Sequence, residues 1–199
     1  MNFLKHIVDF GELSALQADS FISSFFSEDS SVSDIQITAY LFSTSIRSPS
    51  VEELSGAVRA MKRAMIRVEL PFSPIDTCGT GGSGLDTFNT STAVSFVIAA
   101  SGVGIAKHGN RASSSKSGSA DVLESLGVKL GLSSESIVAL YKATNYCFLF
   151  APNFHPATKR VAGIRKQLGT RTLFNFLGPL CYPANPKAKL IGVSSDSMK

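Results

Sequence analysis

Ile75-Asp76-Thr77-Cys78-Gly79-Thr80-Gly81-Gly82-Ser83-Gly84 runs from a short β-like segment into a loop with four glycines in six positions. Glycines open backbone geometries that other residues resist, so the N–H groups of such a loop can gather into a nest that approaches phosphate oxygens closely. A helix expected to begin near Ser91 would bring its positive N-terminal end to the same place. Taken alone, the loop is equally a tight surface turn. Gly79, Gly81 and Gly84 also match the G-x-G-x-x-G spacing of dinucleotide-binding folds, but two features oppose that reading. Residues 85–89 intervene before the helix, and the next strand ends in Lys107 rather than in an acidic residue that would hold a ribose hydroxyl. No Gly-Lys-Ser/Thr follows the loop, so it is not a Walker A sequence either.

Beyond the loop, short β-like runs at residues 75–78, 103–106, 148–150 and 190–193 alternate with helical patterns near 91–101, 120–126, 134–144 and 156–168. That alternation predicts an α/β architecture with a mostly parallel sheet flanked by helices. Before the loop, Ser14 with Gln17, Ser33 with Gln36, and Ser50 with Glu53 form three capping-box patterns in series, each ahead of an apolar-periodic segment. Leu70-Pro71-Phe72-Ser73-Pro74 then stops helix formation. The expected organisation is a small helical domain over residues 1–70 and an α/β domain over 71–199, with the helix near 156–168 a candidate to pack on the helical domain.

The bulk properties fit this picture. Of 199 residues, 44% are apolar and 17% charged, enough to bury a sizeable core in one large or two small domains. The most apolar stretch, residues 93–106, is broken by Ser95, Ser101, Gly102 and Gly104 and is too short to span a bilayer, so no membrane segment is expected. The N-terminus lacks the pattern of a secretory leader, so a cytoplasmic location is expected. Cys78, Cys147 and Cys181 are odd in number and widely spaced, the usage of reduced thiols rather than of a disulfide framework or zinc site. A net charge of +4 without a long basic run favours a small polyanion over a nucleic-acid groove.

Lys107-His108-Gly109-Asn110-Arg111 is expected at the carboxyl edge of the sheet, where open α/β folds bind ligands. Ser113, Ser114, Ser115, Ser117 and Ser119 follow and supply hydroxyls suited to phosphate oxygens, although a solvated polar loop has the same composition. Asn89-Thr90-Ser91-Thr92 reads as a helix N-cap cluster with Ser91 as cap; a serine there can also ligate Mg²⁺ shared with substrate phosphates. Arg165 lies at the edge of the apolar stripe Ala157, Val161, Ile164 and Leu168. A surface arginine is the ordinary reading, and bidentate binding of a carboxylate is the functional one.

Read together with Thr87-Phe88-Asn89, Ser117-Gly118-Ser119-Ala120-Asp121 and Phe174-Asn175 before Leu177-Gly178-Pro179-Leu180, these motifs resemble the anthranilate phosphoribosyltransferase family over nearly the whole chain. The resemblance implies a homodimeric, magnesium-dependent enzyme of tryptophan biosynthesis. It would transfer phosphoribose from 5-phosphoribosyl 1-diphosphate (PRPP) to the amino group of anthranilate, with no catalytic nucleophile. By matching position, Gly79, Gly82, Ser83, Thr87, Asn89, Thr90, Ser91, Thr92, Lys107, His108, Gly109, Asn110, Arg111, Ala112, Ser113, Ser114, Ser115 and Ser119 would contact PRPP, with Ser91 a magnesium ligand. Gly79, Asn110 and Arg165 would hold anthranilate, with His108 and His155 along its path. Two positions depart from the family pattern, Ser83 for a usual Asp and Tyr182 for a usual Asn. The family also continues beyond Lys199 with an Asp-Glu magnesium pair, so the sheet is expected to be incomplete here and the 199-residue chain to show weak or no turnover. A pyrimidine nucleoside phosphorylase and a noncatalytic phosphoribose- or nucleic-acid-binding relative are the competing readings.

Overall fold

A computed structural model describes residues 3–27, 29–80, 88–112 and 117–193. The elements are α1 (Phe3–Phe10), α2 (Ala15–Ser24), α3 (Asp34–Arg47), α4 (Val51–Ala64), β1 (Ile75–Gly79), α5 (Thr90–Ala100), β2 (Ile105–Gly109), α6 (Ser119–Ser125), α7 (Ser134–Thr144), β3 (Tyr146–Phe150), α8 (Ala151–Phe154), α9 (Lys159–Leu168), α10 (Phe174–Leu180) and β4 (Ala188–Gly192). They form two compact units, Met1–Met65 with His155–Cys181 and Ile66–Phe154 with Tyr182–Lys199. The first crossing thus falls ahead of the boundary expected at residue 70, and the α/β part expected over 71–199 is interrupted. The reason is burial: α9 and α10 place Val161, Ile164, Phe174 and Leu177 in the core of the helical unit. For α9 this is the packing for which the sequence makes it a candidate; α10 carries no such pattern in sequence.

In the helical unit each of the three Ser residues accepts from the N3 backbone while the N3 side chain returns to the cap N–H. These reciprocal bonds satisfy donors that the first helical turn would otherwise leave open. Leu13, Phe21, Ile22, Phe25, Tyr40 and Leu41 build the core, with the Phe21 ring edge-on to Phe25 at 4.9 Å and to Tyr40 at 5.3 Å. α4 seats its backbone directly on α2 at Gly56, where an added Cβ would stand 2.3 Å from the Ala15 carbonyl oxygen. Glu53, fully buried, accepts two N–H groups of Arg47 at 2.7 Å each, the Tyr40 hydroxyl at 3.3 Å and the Ser50 N–H at 3.1 Å. A buried carboxylate is tolerated only with such complete pairing.

Among the described residues, the α/β unit holds a four-stranded parallel sheet in the order β3-β2-β1-β4. Thr77, Lys107 and Phe148 lie level and share one face, against α5 and α6; Ala106, Cys147 and Leu149 face Ile137, Tyr141 and Tyr182 on the other. β2 begins at Ile105 and continues through His108 to Gly109, so Lys107 and His108 lie inside the sheet rather than at its end. The segment 156–168 opens with a 3-10 turn, Pro156–Thr158, before α9. Pattern alone predicts no helix at α10, because Gly178 and Pro179 stand inside it. Among the described residues no helix is long and apolar enough to cross a membrane.

Candidate functional site

The register of the strands brings Gly79 level with Gly192 and Gly109 level with Phe150, so the glycine-bearing turns after β1 and β2 leave the same edge of the sheet. Thr80 continues the line by donating its N–H to the Gly192 carbonyl at 2.9 Å. Gly82, Ser83 and Thr87, and likewise Ser113, Ser114 and Ser115, lie outside the described residues. What surrounds them is well defined. The N-cap of α5 is Asn89, not Ser91; its Oδ1 accepts the buried Thr92 hydroxyl at 2.8 Å. Ser91 lies half-buried in the first turn, where its carbonyl accepts the Thr77 hydroxyl at 3.0 Å and ties the helix start to β1. Thr90 is exposed, its hydroxyl donating to the Phe88 carbonyl at 3.2 Å.

The second turn is built more tightly. A Cβ at Gly118 would stand 2.5 Å from the Ala112 nitrogen and 2.7 Å from the Asn110 carbonyl oxygen, so this position admits only glycine without backbone movement. Asp121 Oδ2 accepts the N–H of Ala112 at 2.8 Å and of Gly118 at 2.7 Å, closing the two ends of the serine-rich segment on one oxygen. Those two bonds hold the Asp121 carboxyl below its ordinary pKa. The Asn110 carbonyl takes the Ala120 N–H at 3.2 Å and the Ser119 hydroxyl at 3.4 Å. Gly109 lies so close to Ser119 and Phe148 that a Cβ would meet their side chains at 2.1 Å and 3.0 Å.

The two cations expected beside this turn are arranged differently. Lys107 is 2% exposed and its Nζ donates to the Thr77 carbonyl at 2.6 Å, beneath the strand ends rather than out in the loop. Burial lowers its pKa, and the Asp76 carboxylate opposes that shift. Asp76 is itself buried, which raises its pKa despite Lys107; Oδ1 accepts the His108 N–H at 3.3 Å and Oδ2 is buried with no hydrogen-bond partner among the described residues. Arg111 turns away from the loop: it pairs with Glu124 at 3.0 and 2.6 Å and lies 4.9 Å over the Phe150 ring. His108 is buried edge-on to Tyr182, whose hydroxyl bonds the Ala106 carbonyl. Tyr182, in place of the Asn of the family pattern, is therefore a core side chain of the α/β unit.

Arg165 and His155 belong to the helical unit. Arg165 Nη2 donates to Asn175 Oδ1 at 3.2 Å, its guanidinium stands 5.8 Å from the Phe174 ring centroid, and its Nε is buried with no partner among the described residues. His155 is buried, which lowers its pKa. Among the described residues no cluster of three or more His, Cys, Asp or Glu could hold a metal. Asp76, Gly118, Asp121 and Asn175 are positions for which the motifs alone assign no role. An acid three residues after Gly118, at N3 of α6, is the signal that points to Asp121.

Family models described as the helical bundle domain and the a/b domain of the glycosyl transferase family match residues 1–65 and 73–199. The chain is 46% identical over 193 residues to anthranilate phosphoribosyltransferase of Methanosarcina mazei, covering 96% of this chain and 51% of that protein. It is 54% identical over 167 residues to the Brevibacillus brevis enzyme of the same name, covering 83% and 49%. Among solved structures, anthranilate phosphoribosyltransferase from Thermus thermophilus superposes with a TM-score of 0.87 at 38% identity, over 99% of this chain and 60% of that one. The Saccharomyces cerevisiae enzyme in complex with PRPP and Mg superposes with a TM-score of 0.82 at 31% identity, over 94% and 55%. The chain thus spans about half the length of the curated relatives it matches.

Proposed function

The chain belongs to the glycosyl transferase family, and from that membership we propose that it serves transfer of phosphoribose from PRPP to the amino group of anthranilate. The products are N-(5-phosphoribosyl)anthranilate and diphosphate, on the route to tryptophan. The observation that carries this reading is the alignment of the turns after β1 and β2 at one sheet edge, beside the start of α5 and the turn closed by Asp121. A helix N-terminus at such an edge suits a diphosphate. The enzymes named above, including one solved with PRPP and Mg, support the same substrate pair.

The chemistry asks little of side-chain bases. C1 of the ribose gains oxocarbenium character as diphosphate leaves, so positioning and stabilisation of the leaving charge dominate. Gly79 and the loop after it would face the diphosphate, with Asn89, Thr90, Ser91 and Thr92 at the head of α5. Asn110 and Ser119 stand at the second turn. The buried Lys107 acts from beneath as a fixed positive charge, and Arg111 contributes the fold of the turn rather than a direct contact. Arg165 is assigned to the carboxylate of anthranilate. The donor set fits Mg²⁺ held mainly through substrate oxygens, with the Ser91 hydroxyl as the protein ligand, since Mg²⁺ favours oxygen and retains water. Bound there, the ion would neutralise charge on the diphosphate. We assign the protein to the cytoplasm and a homodimer, the latter supported by Ile35, Phe42 and Ile46, which repeat along one side of α3 and are 81%, 51% and 73% exposed.

Anthranilate fluorescence read with PRPP and Mg²⁺ tests the assignment. In the whole protein the signal is expected to fall as the amine is ribosylated; phosphorolysis of thymidine or uridine with no loss of anthranilate would overturn it.

A further inference from the structure

Arg47, Arg63 and Arg160 of the helical unit each end on a carboxylate, those of Glu53, Asp19 and Asp34. Arg165 ends instead on the neutral side chain of Asn175. The orientation of that amide is forced, because Asn175 Oδ1 also accepts the Thr172 backbone N–H at 2.9 Å, a group that can only donate. The turn carrying Thr172 is itself pinned to α3: the Ser45 hydroxyl donates to the Arg171 carbonyl at 2.5 Å, and the Leu173 N–H to Thr44 Oγ1 at 3.2 Å. Val161 and Ile164 anchor α9, and Phe174 and Leu177 anchor α10. Arg165 is thus held by a rigid, uncharged acceptor, half-buried, with Nε buried and unpartnered among the described residues.

We infer that Asn175 is a positioning residue that orients Arg165 without neutralising it, so that the full cationic charge is kept for a ligand carboxylate. This rests on the assignment of Arg165 to the acceptor's carboxylate. An aspartate at position 175 would accept the same two N–H groups but satisfy the guanidinium internally, as Glu53 does for Arg47. The ligand selected is a planar aromatic acid whose carboxylate meets a preset guanidinium.

Anthranilate, benzoate and the uncharged 2-aminobenzamide, titrated by fluorescence or calorimetry into the full chain and its variants, separate the possibilities. Asn175→Asp is expected to weaken anthranilate and benzoate about tenfold or more, the scale of a hydrogen bond to a charged group, while 2-aminobenzamide changes less than about twofold. Arg165→Gln should weaken the two acids at least as much. Equal weakening of all three ligands by Asn175→Asp would mark a merely structural role and overturn the inference. So would Arg165→Gln losing the acids while Asn175→Asp binds like the parent. Unchanged acid binding in Arg165→Gln, or none in the parent chain, would overturn the underlying assignment as well. If Asn175→Asp does not fold, Asn175→Ala is read by the Arg165 Nε–Hε NMR resonance. It is expected to be sharp in the parent and broadened in the variant, and identical resonances would overturn the inference.

Discussion

Asp121 gathers two backbone N–H groups on one oxygen, and its removal should be felt first at the turn it closes. In Asp121→Ala the amides of Ala112 and Gly118 should exchange with solvent faster than in the parent, measured by hydrogen exchange, while the helical unit is unaffected. The pH dependence has a definite sign. A carboxyl held low in the folded state contributes stability that is complete above the ordinary carboxylate pKa and is lost as pH falls through the lowered value. The difference in urea midpoint between parent and Asp121→Asn should therefore be flat at neutral pH and shrink below about pH 4. Glu53 gives the opposite regime, a buried hub. Glu53→Ala leaves the Arg47 guanidinium and the Tyr40 hydroxyl without their shared acceptor and should lower unfolding free energy by about 3–5 kcal/mol in urea titration.

At the scale of elements, what can be read from sequence follows the range of the forces involved. The capping boxes at Ser14, Ser33 and Ser50 are legible because both partners lie within three residues. The end of β2 is not, because a lysine and a histidine in sequence look solvent-seeking. Lys107 is buried with its ammonium on the Thr77 carbonyl, thirty residues earlier, and the His108 ring is buried edge-on to Tyr182, more than seventy residues later. The site shows the same division: the strand-end position of the glycine loop is visible in the chain, whereas the turning of Arg111 toward Glu124 is not. Gly56 is another long-range fact written as an ordinary helical glycine. Gly56→Ala improves intrinsic helix propensity, yet its Cβ would strike the α2 backbone, so a net loss of about 1–3 kcal/mol is expected in thermal or urea unfolding. A gain would mean that α2 shifts away without loss of packing.

For the molecule as a whole, β4 is an edge strand with Leu190 64% exposed, in a chain that spans about half the length of its curated relatives. A further apolar exposure, on α3, belongs with the proposed dimer. Phe42→Asp combined with Ile46→Lys should shift the protein to monomer in sedimentation velocity while far-UV circular dichroism stays unchanged; an unaltered sedimentation coefficient would place the contact elsewhere. The two-unit division is only partly legible, since the prolines at 71 and 74 mark a break and the helix near 156–168 is a candidate to return to the helices, but nothing local tells α10 to follow it. That return has a consequence for biogenesis. The helical unit closes only with residues 155–181, made some ninety residues after α4. At synthesis rates of about 5–20 residues per second, its core waits on the order of ten seconds on the ribosome with one side open. Nascent α1 to α4 are thus a natural client for a holding chaperone until α10 emerges.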